Sequence, residues 1–129
     1  EADIVLVGVS RSSKSPTSTY LANRGIKCAN IPFVRGGQLP KELFNLQNIL
    51  VIGLVVDVER LLEIRKSRLV TMNDRYNKSY IDYEEVFLET EEAKKLFKRM
   101  NWPIIDVTKR SIEEAASIIL RLLEKKGES

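Results

Sequence analysis

The sequence contains no histidine. That absence removes serine–histidine triads, histidine-ligated zinc and imidazole bases from consideration. Any proton transfer falls to Asp, Glu, Lys or Tyr. Cysteine occurs once, at Cys28, so no internal disulfide can form. A reducing, cytoplasmic compartment is the expected setting. With no histidine to activate it, Cys28 reads as a small buried hydrophobe within Lys27-Cys28-Ala29-Asn30-Ile31. No apolar run approaches the ~20 residues of a membrane span. No secretory signal pattern, internal repeat or low-complexity stretch is present. A strong charge imbalance is also missing. The net charge of +3 is too small for the broad basic face that nucleic-acid binding requires.

The charge that is present is unevenly placed. Residues 1–41 carry six Lys or Arg against two acids, and residues 42–129 carry fifteen against sixteen. The basic excess surrounds one motif. Residues 8–15 read G-V-S-R-S-S-K-S and follow the apolar run Ile4-Val5-Leu6-Val7. Strand, loop, Lys-Ser and helix is the layout of a phosphate-binding loop. A tight loop aims successive backbone N–H groups inward, and the following helix adds its positive end. Lys14 then supplies a point charge on the phosphates, and Ser15 a hydroxyl for Mg²⁺. Gly8, Val9, Ser10, Arg11, Ser12 and Ser13 form the cradle, with the Arg11 fork able to reach phosphate oxygens. Ser13 stands where the G-x-x-x-x-G-K-[ST] pattern has glycine, and serine strains a positive φ more than glycine does.

At 129 residues the chain is expected to be one domain with its own core. A strand over 3–7 leads into a helix from about Pro16 to Arg24, which Gly25 ends. A second strand covers 27–32, and a single helical turn 41–45. Residues 48–56 contain Ile49-Leu50-Val51-Ile52-Gly53-Leu54-Val55-Val56, the signature of a strand buried on both faces of a parallel sheet. Helices follow over 58–72 and 83–100, with a polar loop at 73–79 between them. A short strand spans 103–107. Ser111 and Glu114 form a capping box that opens the last helix. This alternation predicts an α/β fold, a parallel sheet sandwiched by helices and phosphate-loop kinase-like, with sheet order second, third, first, fourth. Ligands on such sheets bind at the C-terminal strand ends. The loop at 8–15, Asp57 and the stretch Asp106–Arg110 all fall there.

The block Gly8-Val9-Ser10-Arg11-Ser12-Ser13-Lys14-Ser15-Pro16-Thr17-Ser18 is specific, and so is Trp102-Pro103-Ile104-Ile105-Asp106-Val107-Thr108. Together with Tyr20–Lys27, Glu59-Arg60-Leu61, Ile64-Arg65 and Ser111–Glu114, they resemble the pyruvate, phosphate dikinase and phosphoenolpyruvate synthase regulatory proteins of bacteria. Asn23-Arg24-Gly25-Ile26-Lys27 looks more like the dikinase branch. Members of that family are about twice as long, so the chain looks like their C-terminal, nucleotide-binding half, in keeping with its abrupt start at Glu1. The resemblance implies a bifunctional enzyme. It would phosphorylate a threonine of the dikinase or synthase with ADP as donor. It would also remove that phosphate with inorganic phosphate as acceptor, releasing pyrophosphate. The family's nucleotide stretch maps onto Gly8 through Ser15, with Ser12 and Ser15 standing where threonine is common.

Other candidates carry two readings each. Asp57, after the most apolar strand, either orients a metal or caps the following helix. It is also the candidate base for the acceptor threonine. Arg60, Arg65 and Arg68 share one helix. With Arg75 and Lys78 they form either a lid closing on phosphates or a solvated face balanced by Glu59 and Glu63. Asp106, Thr108, Lys109 and Arg110 either flank a base or make a capping turn. Tyr76, Tyr80 and Tyr83 read as packing or lid residues and Trp102 as core edge. The acidic stretch from Glu84 to Glu92 reads as a solvated helix face. Two alternatives to the bifunctional enzyme stay open: a small-molecule or nucleotide kinase, and a nucleotide-binding module without catalysis of its own.

Overall fold

A computed structural model describes residues 2–45, 49–72 and 82–128 of the chain. Four parallel strands form one open sheet: β1 (Ile4–Gly8), β2 (Cys28–Pro32), β3 (Leu50–Val55) and β4 (Ile104–Asp106). Helices α1 (Lys14–Ala22), α2 (Val58–Met72), α3 (Tyr83–Arg99) and α4 (Ile112–Glu128) alternate with them. The α/β architecture is the one expected. Every residue of β1, and Val51 to Val55 of β3, is buried on whichever face it points to. Helices therefore cover both sides of the central strands. They pair off, α1 against α4 and α2 against α3. Among the described residues no helix is long and apolar enough to cross a membrane.

The order of the strands differs from the expectation. The sheet runs β2-β1-β3-β4, not second, third, first, fourth. Apolar content identifies β1 and β3 as central, and both arrangements put them there. What decides between them is which edge strand each accepts. β2 pairs with β1 from Ile4 opposite Cys28 to Gly8 opposite Pro32, and the Phe33 N–H extends the pairing to Gly8 O at 2.8 Å. The chain thus leaves β1 to one side for β2 and returns to its other side for β3. That makes the C-terminal ends of β1 and β3 a switch point, where open sheets bind ligands.

Local signals in the sequence account for most element ends. Ser111 and Glu114 form the anticipated capping box, Glu114 N–H to Ser111 Oγ at 3.0 Å and Ser111 N–H to Glu114 Oε1 at 2.9 Å. Those bonds to Ser111 hold the Glu114 carboxyl below its ordinary pKa. Helix α1 begins at Lys14, two residues before the expected start. Pro16 still falls in the first turn, where a missing N–H costs nothing. Trp102 sits at the core edge between Phe97 and Phe44, with both ring centroids at 6.2 Å. Cys28 is half-buried, and burial pushes its thiol pKa up. The loop expected at 73–79, with Arg75, Tyr76 and Lys78, and Tyr80 beyond it, lies outside the described residues.

Gly53 is where α3 meets the sheet. A Cβ there would run into the ring of Phe97, which is fully buried. Gly53→Ala should destabilise the protein by about 1–3 kcal/mol through overpacking, seen as a lower urea midpoint. Adding Phe97→Leu to that variant should recover part of the loss.

Candidate functional site

The segment between β1 and α1 turns back on itself through two left-handed residues, Arg11 and Ser13, both at φ 69°. A non-glycine residue held there costs on the order of 1 kcal/mol. Ser13, at the position where glycine was missed, is one of them. It caps α1 without a side-chain hydrogen bond. A left-handed residue followed by a helical one directs successive N–H groups into a concavity suited to anions.

Two contacts hold this shape. Ser12 is fully buried, and its hydroxyl donates to Val9 O at 2.7 Å. It occupies the space a side chain at Gly8 would need: a Cβ there would lie 2.5 Å from Ser12 Oγ and 2.9 Å from Leu54 O of β3. Lys14 then folds back over the loop. Its ammonium donates to Gly8 O at 2.8 Å, to Val9 O at 2.7 Å and to Ser12 Oγ at 3.3 Å. The carbonyl ends of the loop are thereby tied to one cation. Ser15 is exposed in the first turn of α1. Arg11, Ser13, Lys14, Ser15, Pro16 and Ile64 surround a hollow of about 230 Å³.

Arg65 also reaches the loop. It was expected on a lid or a solvated face, yet it is buried, 2% exposed. Its Nη2 donates to Ser10 O at 3.2 Å and to Glu89 Oε1 of α3 at 2.9 Å. Arg60 is exposed and stands 3.9 Å from Glu63, as a solvated face requires. Arg68 lies in α2, but its side chain is outside the described residues.

Helix α3 departs furthest from its sequence reading. Glu85, Glu89 and Glu92 lie three and four residues apart and so share one helix face. That face is not simply solvated. Glu89 pairs with Arg65, while Glu85 and Glu92 hold Arg35 from the loop after β2 at 2.9 and 2.7 Å. The packing of α3 on α2 and β3 turns this face toward the neighbouring loops. Ser10, Phe33, Arg35, Arg65 and the three glutamates line an open cleft of about 690 Å³ beside the loop between β1 and α1. The three-and-four spacing of the glutamates was the available signal, but a solvated helix face shows the same spacing.

The remaining strand ends meet as expected. Asp57, exposed after β3, donates its N–H to Thr108 Oγ1 at 2.8 Å. Thr108 N–H in turn binds Asp106 Oδ1 at 2.9 Å, and Arg110 Nε binds Asp106 O at 3.0 Å. Asp106–Arg110 is therefore a capping turn that braces the end of β3. Asp57 O accepts from Leu61 N–H at 2.9 Å in the first turn of α2.

Burial, then the charges of Arg65 and Arg11, lower the Lys14 pKa from 10.5 to about 8, with Glu89 opposing them. The unfolded chain thus holds this proton more tightly than the folded one. Stability should rise with pH between about 8 and 10.5, with the penalty fully present below that window. Comparing urea midpoints of the wild type and Lys14→Met across this range isolates the effect. The wild type should gain relative to the variant as pH rises, and parallel pH profiles would contradict the assignment.

Comparison with known proteins places the chain in a family. Residues 1–120 match the kinase/pyrophosphorylase family profile. A protein of Wolbachia pipientis wMel is 56% identical over 97% of this chain and 45% of its own length. One of Erythrobacter litoralis is 54% identical over 95% and 44%, and one of Ehrlichia chaffeensis 49% over 97% and 46%. All three are provisionally named pyruvate, phosphate dikinase regulatory protein. The chain spans about half the length of these relatives and corresponds to their C-terminal half. It belongs to the kinase/pyrophosphorylase family.

Proposed function

We propose that this domain binds the diphosphate of ADP in the hollow at Arg11–Pro16 and serves phosphoryl transfer to and from a threonine of pyruvate, phosphate dikinase. Phosphoenolpyruvate synthase is the other candidate target. The observation that carries this reading is the loop itself: Lys14 lies across it, two left-handed residues curl it, and the first turn of α1 carries no side-chain cap.

An arriving β-phosphate finds N–H groups of the loop aimed at it, and Lys14 exchanges loop carbonyls for phosphate oxygens. Arg11, exposed at the crest, can fold onto the same oxygens. Arg65 contributes a fixed positive charge beneath Ser10 rather than a mobile one. Transfer of this kind is mostly positioning and charge stabilisation. Ser15, in the first turn of α1, and Asp57, two residues after β3, the strand beside β1, are the side chains that would hold Mg²⁺. Both belong to the oxygen-ligand set that Mg²⁺ takes together with phosphates. When bound, Mg²⁺ would neutralise phosphate charge. In the opposing reaction the same cradle would hold inorganic phosphate as acceptor and release pyrophosphate.

The half-length match favours one second reading, a nucleotide-binding module whose chemistry is completed by the rest of a longer protein. Calorimetry with ADP and Mg²⁺ tests the cradle. Lys14→Met should weaken ADP binding about tenfold or more, since charged hydrogen bonds contribute ~1.5–3 kcal/mol. Unchanged affinity would overturn the site. Mass spectrometry of the dikinase after incubation with the intact protein should find one added phosphate on a threonine with ADP, and little with ATP. Transfer to small alcohols or nucleosides instead would make the protein a small-molecule kinase.

A further inference from the structure

The phosphate loop is flanked by two spaces, the hollow over Lys14 and the larger cleft on the far side of Ser10. If the donor phosphates lie in the first, the acceptor hydroxyl must approach from a neighbouring space. With no histidine in the chain, its proton needs a carboxylate close to the loop. Asp57 is exposed at the end of β3, braced by the Thr108 turn, and is not among the residues lining the cleft. Glu85 and Glu92 line it but are both engaged with Arg35. Glu89 is different. It is held by the same guanidinium nitrogen that holds Ser10 O, so of the three it is the one joined to the loop, through Arg65. Its side chain is 17% exposed, and it lines the cleft. Among the described residues only its Oε1 is engaged, by Arg65.

We propose that Glu89 is the carboxylate that accepts the proton of the attacking hydroxyl from the cleft, and that Arg65 positions it against the phosphate loop. This rests on the phosphoryl-transfer reading. In the forward step the threonine oxygen forms a bond to the β-phosphorus of ADP while its proton passes to Glu89. The bond from that phosphorus to the oxygen bridging α and β breaks, and AMP leaves with the electron pair. In the opposing step an oxygen of inorganic phosphate bonds to the phosphorus on threonine. That phosphate gives up its proton to Glu89 as it attacks, and the threonine oxygen leaves with its pair and takes the same proton from Glu89, giving pyrophosphate. A loose transition state asks little of the base beyond orientation, so a carboxylate paired with an arginine suffices. The pairing keeps that carboxylate aimed. The cleft then takes an extended, hydroxyl-bearing segment of the acceptor protein, with Phe33 and Val34 as its apolar wall and Arg35 with its two glutamates as its charged one.

Glu89→Gln in the intact protein is the test, with the wild type in parallel. Glutamine still accepts from Arg65 but takes no proton. Dikinase phosphorylation should lose about a hundredfold or more in kcat, while ADP affinity and the KM for the dikinase stay near wild type. Glu89→Asp, which restores a carboxylate, should recover much of the lost rate. A Gln variant within about tenfold of wild-type kcat, or an Asp variant no faster than Gln, overturns the role of Glu89 and leaves the phosphoryl-transfer reading standing. Activity lost only in step with ADP affinity and urea stability makes Glu89 a strut and also overturns it. A wild type that transfers nothing from ADP overturns both.

Discussion

A lysine ammonium turned back onto the carbonyls of its own loop is the contact the site rests on. Carbonyl oxygens that converge in a tight turn repel one another, and Lys14 relieves this by binding Gly8 O and Val9 O together. With the oxygens drawn to one side, the loop's N–H groups are left to face the other. The arrangement needs a glycine at position 8, because Ser12 and Leu54 O occupy the space a side chain would take. It also needs β1 and β3 side by side, since Leu54 belongs to β3. Core packing and site geometry are therefore one constraint.

That constraint leaves charge in an awkward place. Burial, and then the nearby charges of Arg65 and Arg11, lower the Lys14 pKa, with Glu89 opposing them. Three cations against one carboxylate is a destabilising arrangement, one that a bound anion would relieve. The same reasoning explains why Arg65 is buried rather than riding on a lid. Its positive charge acts at fixed distance from Ser10, and Glu89 keeps the buried guanidinium from being unpaired.

Local features were legible in the chain. The G-V-S-R-S-S-K-S run following an apolar strand announced the loop, and even the strain at Ser13 was readable from the missing glycine. The Ser111–Glu114 box announced α4, because its bonds span only three residues. Illegible were the pairings that join distant segments. Arg35 with Glu85 and Glu92, and Arg65 with Glu89, connect residues from 24 to 57 positions apart. Nothing in a Glu-rich helix says whether its carboxylates meet water or arginines from elsewhere. The cleft beside the loop, built from those pairs, was for that reason invisible.

By itself the sequence determined the elements, the parallel sheet and the strand–loop–helix segment at residues 8–15, because hydrophobic period, capping and turn chemistry act over a few residues. Only the tertiary structure decided that β1, not β3, accepts β2, and that the acidic face of α3 turns toward the loop. Burial patterns say which strands are central, but not which edge strand each accepts. A helix's amphipathic stripe says which side is buried, but not what its polar side faces. Both are settled by long-range packing, in which residues far apart in the chain select one another through shape and charge.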